Sequence, residues 1–291
     1  MIAGLLRLTR WPEHIPFTLP ATLIGVNMAA SSRAADLDWR LVAVTAANIL
    51  AVTFAFMVND IEDAPDDARD PTRAARNAVT HGEIAPWQGC IAALIVGLMA
   101  LALFAAVNAR TLATGGLTLA LGFLYSWRAV RLKAWPVIDV IAHLLMLSSL
   151  LFLAGYLAYD DAPGRVWWVA AGVGLISAYG QLHNQLRDYE MDRAAGLRNT
   201  ASILGERLTR GAMVGCLGGA ALTLALTVGW GLWPLRLALV PAAALPLLIR
   251  FRSERDMRGA TAIDAASSLQ RGALIVANAV ALVWLIANII Y

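Results

Sequence analysis

The sequence predicts an all-α integral membrane protein in which nine transmembrane helices form a single domain over residues 1–291. Hydrophobic residues make up 59% of the chain and charged residues only 15%, whereas a soluble domain has about 25% charged residues. The apolar residues are gathered in runs close to the roughly 20 residues that a membrane-spanning helix needs. The charged residues lie mostly between those runs. This composition excludes a soluble globular domain, a disordered chain and a disulfide scaffold.

Nine apolar runs follow one another along the chain, and we interpret each as one span. Polar flanking residues complete the shorter runs, and two prolines are expected to kink the eighth. In chain order the runs are Ile15–Ala30, Leu41–Val58, Trp87–Val107, Leu112–Trp127, Val137–Ala158, Val166–Leu186, Met213–Trp230, Leu235–Ile249 and Ala273–Ile290.

The basic residues set the expected orientation. With the N-terminus in the cytoplasm, 18 of the 23 Lys and Arg residues fall in cytoplasmic segments and 5 on the opposite side. Positively charged loops stay inside the cell, so we expect a multi-pass protein of the cell membrane with a cytoplasmic N-terminus. The long loops Asn59–Pro86, Asp188–Ala212 and Arg250–Gly272 then share the cytoplasmic face. Because function concentrates on such loops, the active site is expected to face the cytoplasm.

The first long loop opens with an acidic motif, which we call the first acidic motif: Asn59, Asp60, Asp63 and Asp67. If the second helix continues past Asn59, the three aspartates share one face at i, i+3 and i+7. A solvated acidic loop is the simpler interpretation. However, unpaired carboxylates at the edge of a membrane are costly, and magnesium prefers such oxygen ligands. The position therefore favours a Mg²⁺ site.

A second acidic motif ends the sixth predicted helix. Gln181, Asn184, Gln185, Asp188 and Asp192 fall on one helical stripe, related by steps of three and four, and we call the last two the second acidic motif. Two equivalent acidic motifs facing each other across a bundle suit a diphosphate, with Mg²⁺ bridging carboxylates to phosphate oxygens. An apolar chamber below them would suit a prenyl tail and shield a carbocation from water.

The two acidic motifs resemble those of the UbiA superfamily of intramembrane prenyltransferases, and the resemblance covers essentially the whole chain. It implies nine helices around a central cavity and a magnesium-dependent site capped from the cytoplasmic side. The segment from Tyr125 to Lys133 is similar to the variant found in chlorophyll-synthase-like, archaeal lipid and carotenoid-elongating members. By that likeness either Arg131 or Lys133 reaches the diphosphate.

The resemblance assigns expected roles to individual residues. Asp63, Asp192 and Lys133 are expected to be catalytic. The expected metal ligands are Asp60, Asp63, Asp67, Asp188 and Asp192. The expected diphosphate contacts are Asn59, Arg76, Tyr125, Arg131, Lys133, Gln185, Arg198 and Arg10.

Three functions remain open at this point. The leading hypothesis is a prenyltransferase that joins a prenyl diphosphate to a lipophilic or aromatic acceptor. A terpene cyclase would use the same donor without a separate acceptor. A transporter is disfavoured because its sites usually lie near the membrane midplane. Beyond membrane lipid, nothing indicates a nucleic acid or an obligatory protein partner. Asp139 and His143, spaced i, i+4, are either acceptor-binding groups or a structural hydrogen-bonding pair.

Overall fold

The computed structural model describes residues 2–33, 36–194, 196–241, 243 and 270–290. Throughout this part of the chain the regular structure is helical, with no strand. The all-α prediction is therefore confirmed. The helices are α1 Ile2–Thr9, α2 Trp11–Arg33, α3 Trp39–Asp67, α4 Pro71–Arg76, α5 Pro86–Val107, α6 Ala109–Ser126, α7 Ile138–Leu144, α8 Leu150–Leu157, α9 Val166–Arg187, α10 Tyr189–Ala194, α11 Thr200–Gly229 and α12 Gln270–Ile290.

Five of the described helical segments are long and apolar enough to cross a membrane. They are Trp39–Asp67, Pro86–Val107, Ile138–Leu157, Thr200–Gly229 and Gln270–Ile290. The count of nine spans and the orientation of the N-terminus remain predictions. Residues 242 and 244–249 of the eighth predicted run, and most of the third long loop, Arg250–Gly272, lie outside the described residues.

Two helices extend well beyond the predicted apolar runs. Helix α3 continues past Val58 to Asp67, so the first acidic motif is helical, as its spacing required. Helix α11 begins at Thr200, where the sequence placed a long loop, and bends at Gly205 (φ 75°). Asn199 caps its first turn by accepting the N–H of Ser202 at 2.9 Å, which is a standard helix-start signal. Both extensions bring polar helix ends to the side of the bundle that carries the acidic motifs.

Helices α2 and α8 pack backbone against backbone. A Cβ atom on Gly155 would lie 2.3 Å from the carbonyl oxygen of Thr22. A Cβ on Gly25 would lie 2.1 Å from the carbonyl oxygen of Phe152. Only glycine permits so close an approach. The buried Asn48 of α3 donates to both helices, to Thr22 Oγ1 at 2.8 Å and to the Leu151 carbonyl at 2.9 Å.

One apolar cluster, which we call the central apolar cluster, is built from six helical segments. Its buried members are Ala21, Val52, Met146, Leu147 and Leu151, with Phe17, Phe56, Leu121, Tyr125 and Val173 packed against them and partly exposed. They come from α2, α3, α6, α8, α9 and the π-helical turn Leu145–Ser149 that joins α7 to α8. Since π turns arise where one residue is inserted into a helix, this turn locally redirects the side chains of the fifth predicted run.

Candidate active site

The first acidic motif lies on the last two turns of α3, and each of its carboxylates has a polar partner. Asn59 Nδ2 donates to Asp63 Oδ2 at 2.6 Å. Asp60 is only 6% exposed and is paired with Arg10 at 2.9 Å. The carboxylates of Asp60, Asp63 and Asp67 repel one another. The motif is therefore a group of crowded negative charges that neighbouring cations and amides stabilise.

Lys133 is the basic residue closest to the centre of the first acidic motif. Its Nζ donates to both oxygens of Asp63, at 2.5 and 2.6 Å. Arg131 pairs instead with Asp66 at 2.8 Å and lies 3.6 Å from Asp63. Both residues predicted from the sequence thus lie at the motif. The side chain of Lys133 is 11% exposed and that of Arg131 is 28% exposed. Lys133 is therefore the more enclosed of the two cations.

The segment that carries Lys133 is held in an unusual backbone conformation. Arg131 and Val137 both have positive φ, at 50° and 71°, which is rare for residues other than glycine and a clear outlier for a β-branched one. The N–H of Val137 donates to Thr200 Oγ1 at 2.7 Å. Strained backbone of this kind tends to occur where a side chain must be placed accurately. Here the start of α11 fixes the loop that places Lys133.

Arg10 occupies the hinge between α1 and α2, where its φ is 48°. From there it pairs with Asp60 and also with Glu13, at 2.6 Å. Arg76 pairs with the same Glu13 at 3.4 Å, and its side chain is half exposed. The two predicted arginines therefore meet around one carboxylate beside the first acidic motif.

The second acidic motif follows the end of α9. Asp188 accepts two hydrogen bonds from Arg187, both at 3.0 Å. Asp192, on α10, accepts from Asn199 Nδ2 at 2.9 Å and pairs with Arg73 at 3.4 Å. Burial and the nearby charge of Asp188 raise the pKa of the Asp192 carboxyl, although Arg73 and Asn199 oppose this shift. A cation that neutralised both aspartates would therefore be stabilised here.

Arg73 connects the two acidic motifs, and the sequence analysis did not select it. Its guanidinium contacts Asp192 and also interacts with the charges of Asp188 and Asp67. Burial opposes the charge on Arg73, but the aspartates outweigh that effect and raise its pKa above the usual value. Because Arg73 lies on α4 after the first acidic motif, its contact with Asp192 shows that the two acidic motifs lie at the same end of the bundle. We call this end, between the two acidic motifs, the mouth.

Two buried asparagines, also missed from the sequence, hold the last aspartate of each motif. Asn77 Nδ2 donates to Asp67 Oδ2 at 2.9 Å and to the Asp60 carbonyl at 2.8 Å. Asn199 plays the same part toward Asp192. The sequence contained a signal for Asn199, since an asparagine before Thr200 is typical of a helix N-cap. Nothing local identified Asn77.

Two predicted diphosphate contacts, Gln185 and Tyr125, bind polar groups of the bundle, and a third, Arg198, is exposed. Gln185 is buried, donates to Asp139 Oδ2 at 2.7 Å and accepts the N–H of Ala201 at 3.0 Å. Its expected role as a diphosphate contact is not supported by this geometry, because both ends of its amide bind within the bundle. Tyr125 accepts a hydrogen bond from Gln181 at 2.8 Å, at the edge of the central apolar cluster. Arg198 is exposed on the loop before α11.

Asp139 and His143 both bind groups on neighbouring helices. Asp139 is fully buried and accepts from Gln185, from the N–H of Thr200 at 2.8 Å and from the Thr200 hydroxyl. His143 Nδ1 lies 3.2 Å from Ser177 Oγ. Asp139 therefore connects α7 to α9 and α11. This geometry supports the structural alternative for Asp139.

The residues at the mouth are suited to Mg²⁺. Among the described residues, no three aspartate, glutamate, histidine or cysteine side chains converge closely enough to form a metal site of their own. Magnesium is usually held by one or two carboxylates together with substrate phosphates and water. Two groups of crowded carboxylates on either side of one opening match that mode of binding, and their oxygen donors are the type that magnesium prefers.

A shallow apolar groove on the outside of the bundle is a less suitable site for this chemistry. It runs between α2, α3 and α12, and its lining residues are Leu19, Leu23, Leu41, Val42, Thr45, Ala46, Ile49, Leu282 and Leu285. Apart from Thr45 the lining is apolar, and none of these residues carries a charge that could neutralise a metal ion or a diphosphate. We therefore place the candidate active site at the mouth that carries the acidic motifs.

Comparison with known proteins supports this view of the fold. The model of the UbiA prenyltransferase family matches residues 18–271. A lycopene elongase/hydratase from Haloferax volcanii is 30% identical over 190 residues, which cover 64% of this chain and 60% of that protein. One from Haloarcula japonica is 30% identical over 222 residues, covering 72% of this chain and 69% of that protein. The match thus spans about three fifths of the length of the first relative.

Solved structures share the fold over nearly the whole chain. A UbiA homologue from Archaeoglobus fulgidus bound to GPP and Mg²⁺ has a TM-score of 0.70 at 22% identity and covers 98% of this chain and 99% of that one. A digeranylgeranylglyceryl phosphate synthase has a TM-score of 0.69 at 16% identity and covers 99% of this chain and 98% of that one. At these identities the likeness shows the fold.

Proposed function

Since the chain belongs to the UbiA prenyltransferase family, we propose that it is a magnesium-dependent membrane enzyme that ionises a prenyl diphosphate and transfers the prenyl group to a hydrophobic acceptor. The observation that carries this proposal is the ion pair at 3.4 Å between Asp192 of the second acidic motif and Arg73, which lies on α4 shortly after the first acidic motif. A single acidic motif would fit many cation sites. Two motifs that share one arginine form an opening in which a doubly charged headgroup could be bound from both sides.

The described side chains suggest how the donor is held. Asp60, Asp63 and Asp67 on one side and Asp188 and Asp192 on the other would hold Mg²⁺. When bound, magnesium supplies positive charge that stabilises the departing diphosphate. Mg²⁺ and diphosphate would replace the ion pairs that Lys133, Arg10 and Arg73 form with these carboxylates.

The basic residues around the mouth then face the diphosphate oxygens. Lys133, Arg10 and Arg73, now each paired with an aspartate, are positioned to neutralise phosphate charge once magnesium occupies the carboxylates. Arginine suits this task because it binds phosphate oxygens in a bidentate manner. Donors arranged in advance around a developing negative charge stabilise the transition state for C–O cleavage.

The acceptor is proposed to be a lipophilic molecule that enters from the membrane. The two curated relatives named lycopene elongase/hydratase favour an unsaturated hydrocarbon such as the end of a carotenoid chain. The central apolar cluster, which lies below the first acidic motif, would shield the prenyl cation from water. We further propose that residues 1–291 form one domain in the cell membrane and that its mouth faces the cytoplasm, as the distribution of basic residues predicts.

An assay of the purified protein in lipid nanodiscs tests the proposal. The protein is incubated with dimethylallyl or geranyl diphosphate, with and without lycopene, and both pyrophosphate release and product mass are measured. We expect a product heavier than the acceptor by the prenyl group, no turnover in EDTA, and recovery with Mg²⁺. Full turnover in chelator would contradict the two-motif mechanism. A cyclic hydrocarbon formed without acceptor would instead identify a terpene cyclase.

A further inference from the structure

Phe56 lies directly below the first acidic motif. It precedes Asp60 by four residues on α3, so it sits on the same face about 6 Å deeper along the helix. Its ring packs against the central apolar cluster and remains partly exposed. A diphosphate held by the aspartates would direct its apolar chain toward this cluster. The first carbons of that chain would then lie at the level of Phe56.

The ring of Phe56 already binds a positive charge in this structure. The guanidinium carbon of Arg10 lies 5.0 Å from the ring centroid, within the range of a cation–π interaction. Arg10 also pairs with Asp60 at 2.9 Å, so the cation that covers the ring is part of the mouth. The site therefore combines a negative ring face with an apolar environment, one turn from the predicted metal ligands.

Resting on the proposed function, we propose that Phe56 is a catalytic residue whose ring stabilises the allylic cation. The C1–O bond of the prenyl diphosphate breaks with its electron pair leaving on the diphosphate oxygen. The positive charge is then shared between C1 and C3 of the prenyl group. A double bond of the acceptor supplies the electron pair for the new bond to C1, and the proton lost from the acceptor passes to the diphosphate.

Arrival of the diphosphate frees the ring for this task. Guanidinium groups bind phosphate oxygens through paired hydrogen bonds that are stronger than contacts to a ring face. Arg10 would therefore turn from Phe56 to the diphosphate, and the allylic cation would take its place over the ring. The ring would therefore face Arg10 before the donor binds and the allylic cation after ionisation.

Phe54 provides a matched control on the same helix. It is two residues away and packs on a different side, against α5, where a Cβ on Gly97 would lie 3.0 Å from Phe54 Cδ2. It belongs with the apolar residues around Leu8 and Met57 and not with the central apolar cluster. A change to its ring electronics should leave ionisation unaffected, while any general effect of an altered phenylalanine on folding would appear at both positions.

The test uses phenylalanines carrying one, two or three ring fluorines, placed at position 56 or 54 of the full-length protein in nanodiscs. Fluorine withdraws charge from the ring face and keeps its shape. The rate of pyrophosphate release at saturating donor should fall with each fluorine at Phe56, by about 2- to 30-fold over the series, with the donor KM unchanged. The Phe54 series should be flat. Phe56→Leu should match the trifluorinated protein, and Phe54→Leu should match the wild type.

The possible outcomes separate this inference from the proposed function. A flat Phe56 series in a protein that turns over normally would overturn the role of the ring. A rise in donor KM at an unchanged rate would also overturn it, because Phe56 would then act by positioning Arg10. Absence of pyrophosphate release from the unsubstituted protein would overturn the proposed function itself.

Discussion

Replacing Asp63 with asparagine separates catalysis from scaffolding at the candidate site. Asp63 accepts hydrogen bonds from Lys133 at 2.5 and 2.6 Å and from Asn59 at 2.6 Å. The Asp63→Asn substitution keeps the size and shape of the side chain, removes its charge and replaces one acceptor oxygen with an NH2 donor. It therefore removes one proposed metal ligand without opening a cavity in the bundle.

The expected effects on rate and on stability have separate causes. Loss of a proposed metal ligand should remove about 3 kcal/mol of transition-state stabilisation, roughly a hundredfold in rate. The ion pair with Lys133 is mostly buried, since the side chains of Lys133 and Asp63 are 11% and 24% exposed, and a hydrogen bond to a charged group contributes about 1.5–3 kcal/mol to stability. Relief of the repulsion from Asp60 and Asp67 offsets part of this loss. The free energy of unfolding should therefore fall by less than about 3 kcal/mol.

Two measurements check this prediction on the same preparation. Pyrophosphate release is measured at saturating Mg²⁺ and donor, and thermal unfolding is followed in detergent. Asp161→Asn is the control, because Asp161 forms an exposed ion pair with Arg110 at 3.0 Å and is not part of either acidic motif. If Asp63→Asn keeps near-normal turnover in a folded protein, the first acidic motif is not the catalytic centre. A large loss of thermal stability would instead show that Asp63 is structural.

Three further predictions address other parts of the molecule. Arg73→Ala should raise the donor KM about tenfold, since a hydrogen bond to a charged group contributes about 1.5–3 kcal/mol. An unchanged KM would show that Arg73 does not bind the donor. Gly155→Ala should lower the free energy of unfolding by about 1–3 kcal/mol, because its Cβ would lie 2.3 Å from a backbone carbonyl oxygen of α2. Gly116→Ala is the control, since Gly116 has open space around it. Equal melting temperatures of the two variants would refute the close packing of α2 and α8. The orientation is tested with single cysteines in a protein that lacks its native cysteines. A cysteine at the exposed Ala68 should be labelled from the cytoplasmic side only, and one at the exposed Asp161 from the outer side only. Reversed labelling would overturn the orientation.

The sequence predicted the helical class and the position of both acidic motifs because these depend on local patterns. Apolar runs mark helices that can cross a membrane, and spacings of three, four and seven place side chains on one helix face. The sequence placed Asn59–Asp67 in a loop and put its aspartates on a shared face only on the condition that the helix continued, and α3 does continue to Asp67. The start of α11 at Thr200 was missed, since its first turns are too polar to continue the apolar run, although Asn199 before it is a recognisable N-cap.

Only the tertiary structure decided which charges meet. Arg73 and Asp192 are 119 residues apart, and Lys133 and Asp63 are 70 apart, so no local pattern could pair them. The same reason explains why the hydrogen-bond partner of Gln185 could not be predicted. Its position on the polar stripe of α9 suggested a contact at the mouth, but its amide binds Asp139 inside the bundle. Helical spacing fixes the face on which a side chain lies, whereas the packing of the neighbouring helices determines which groups that face meets.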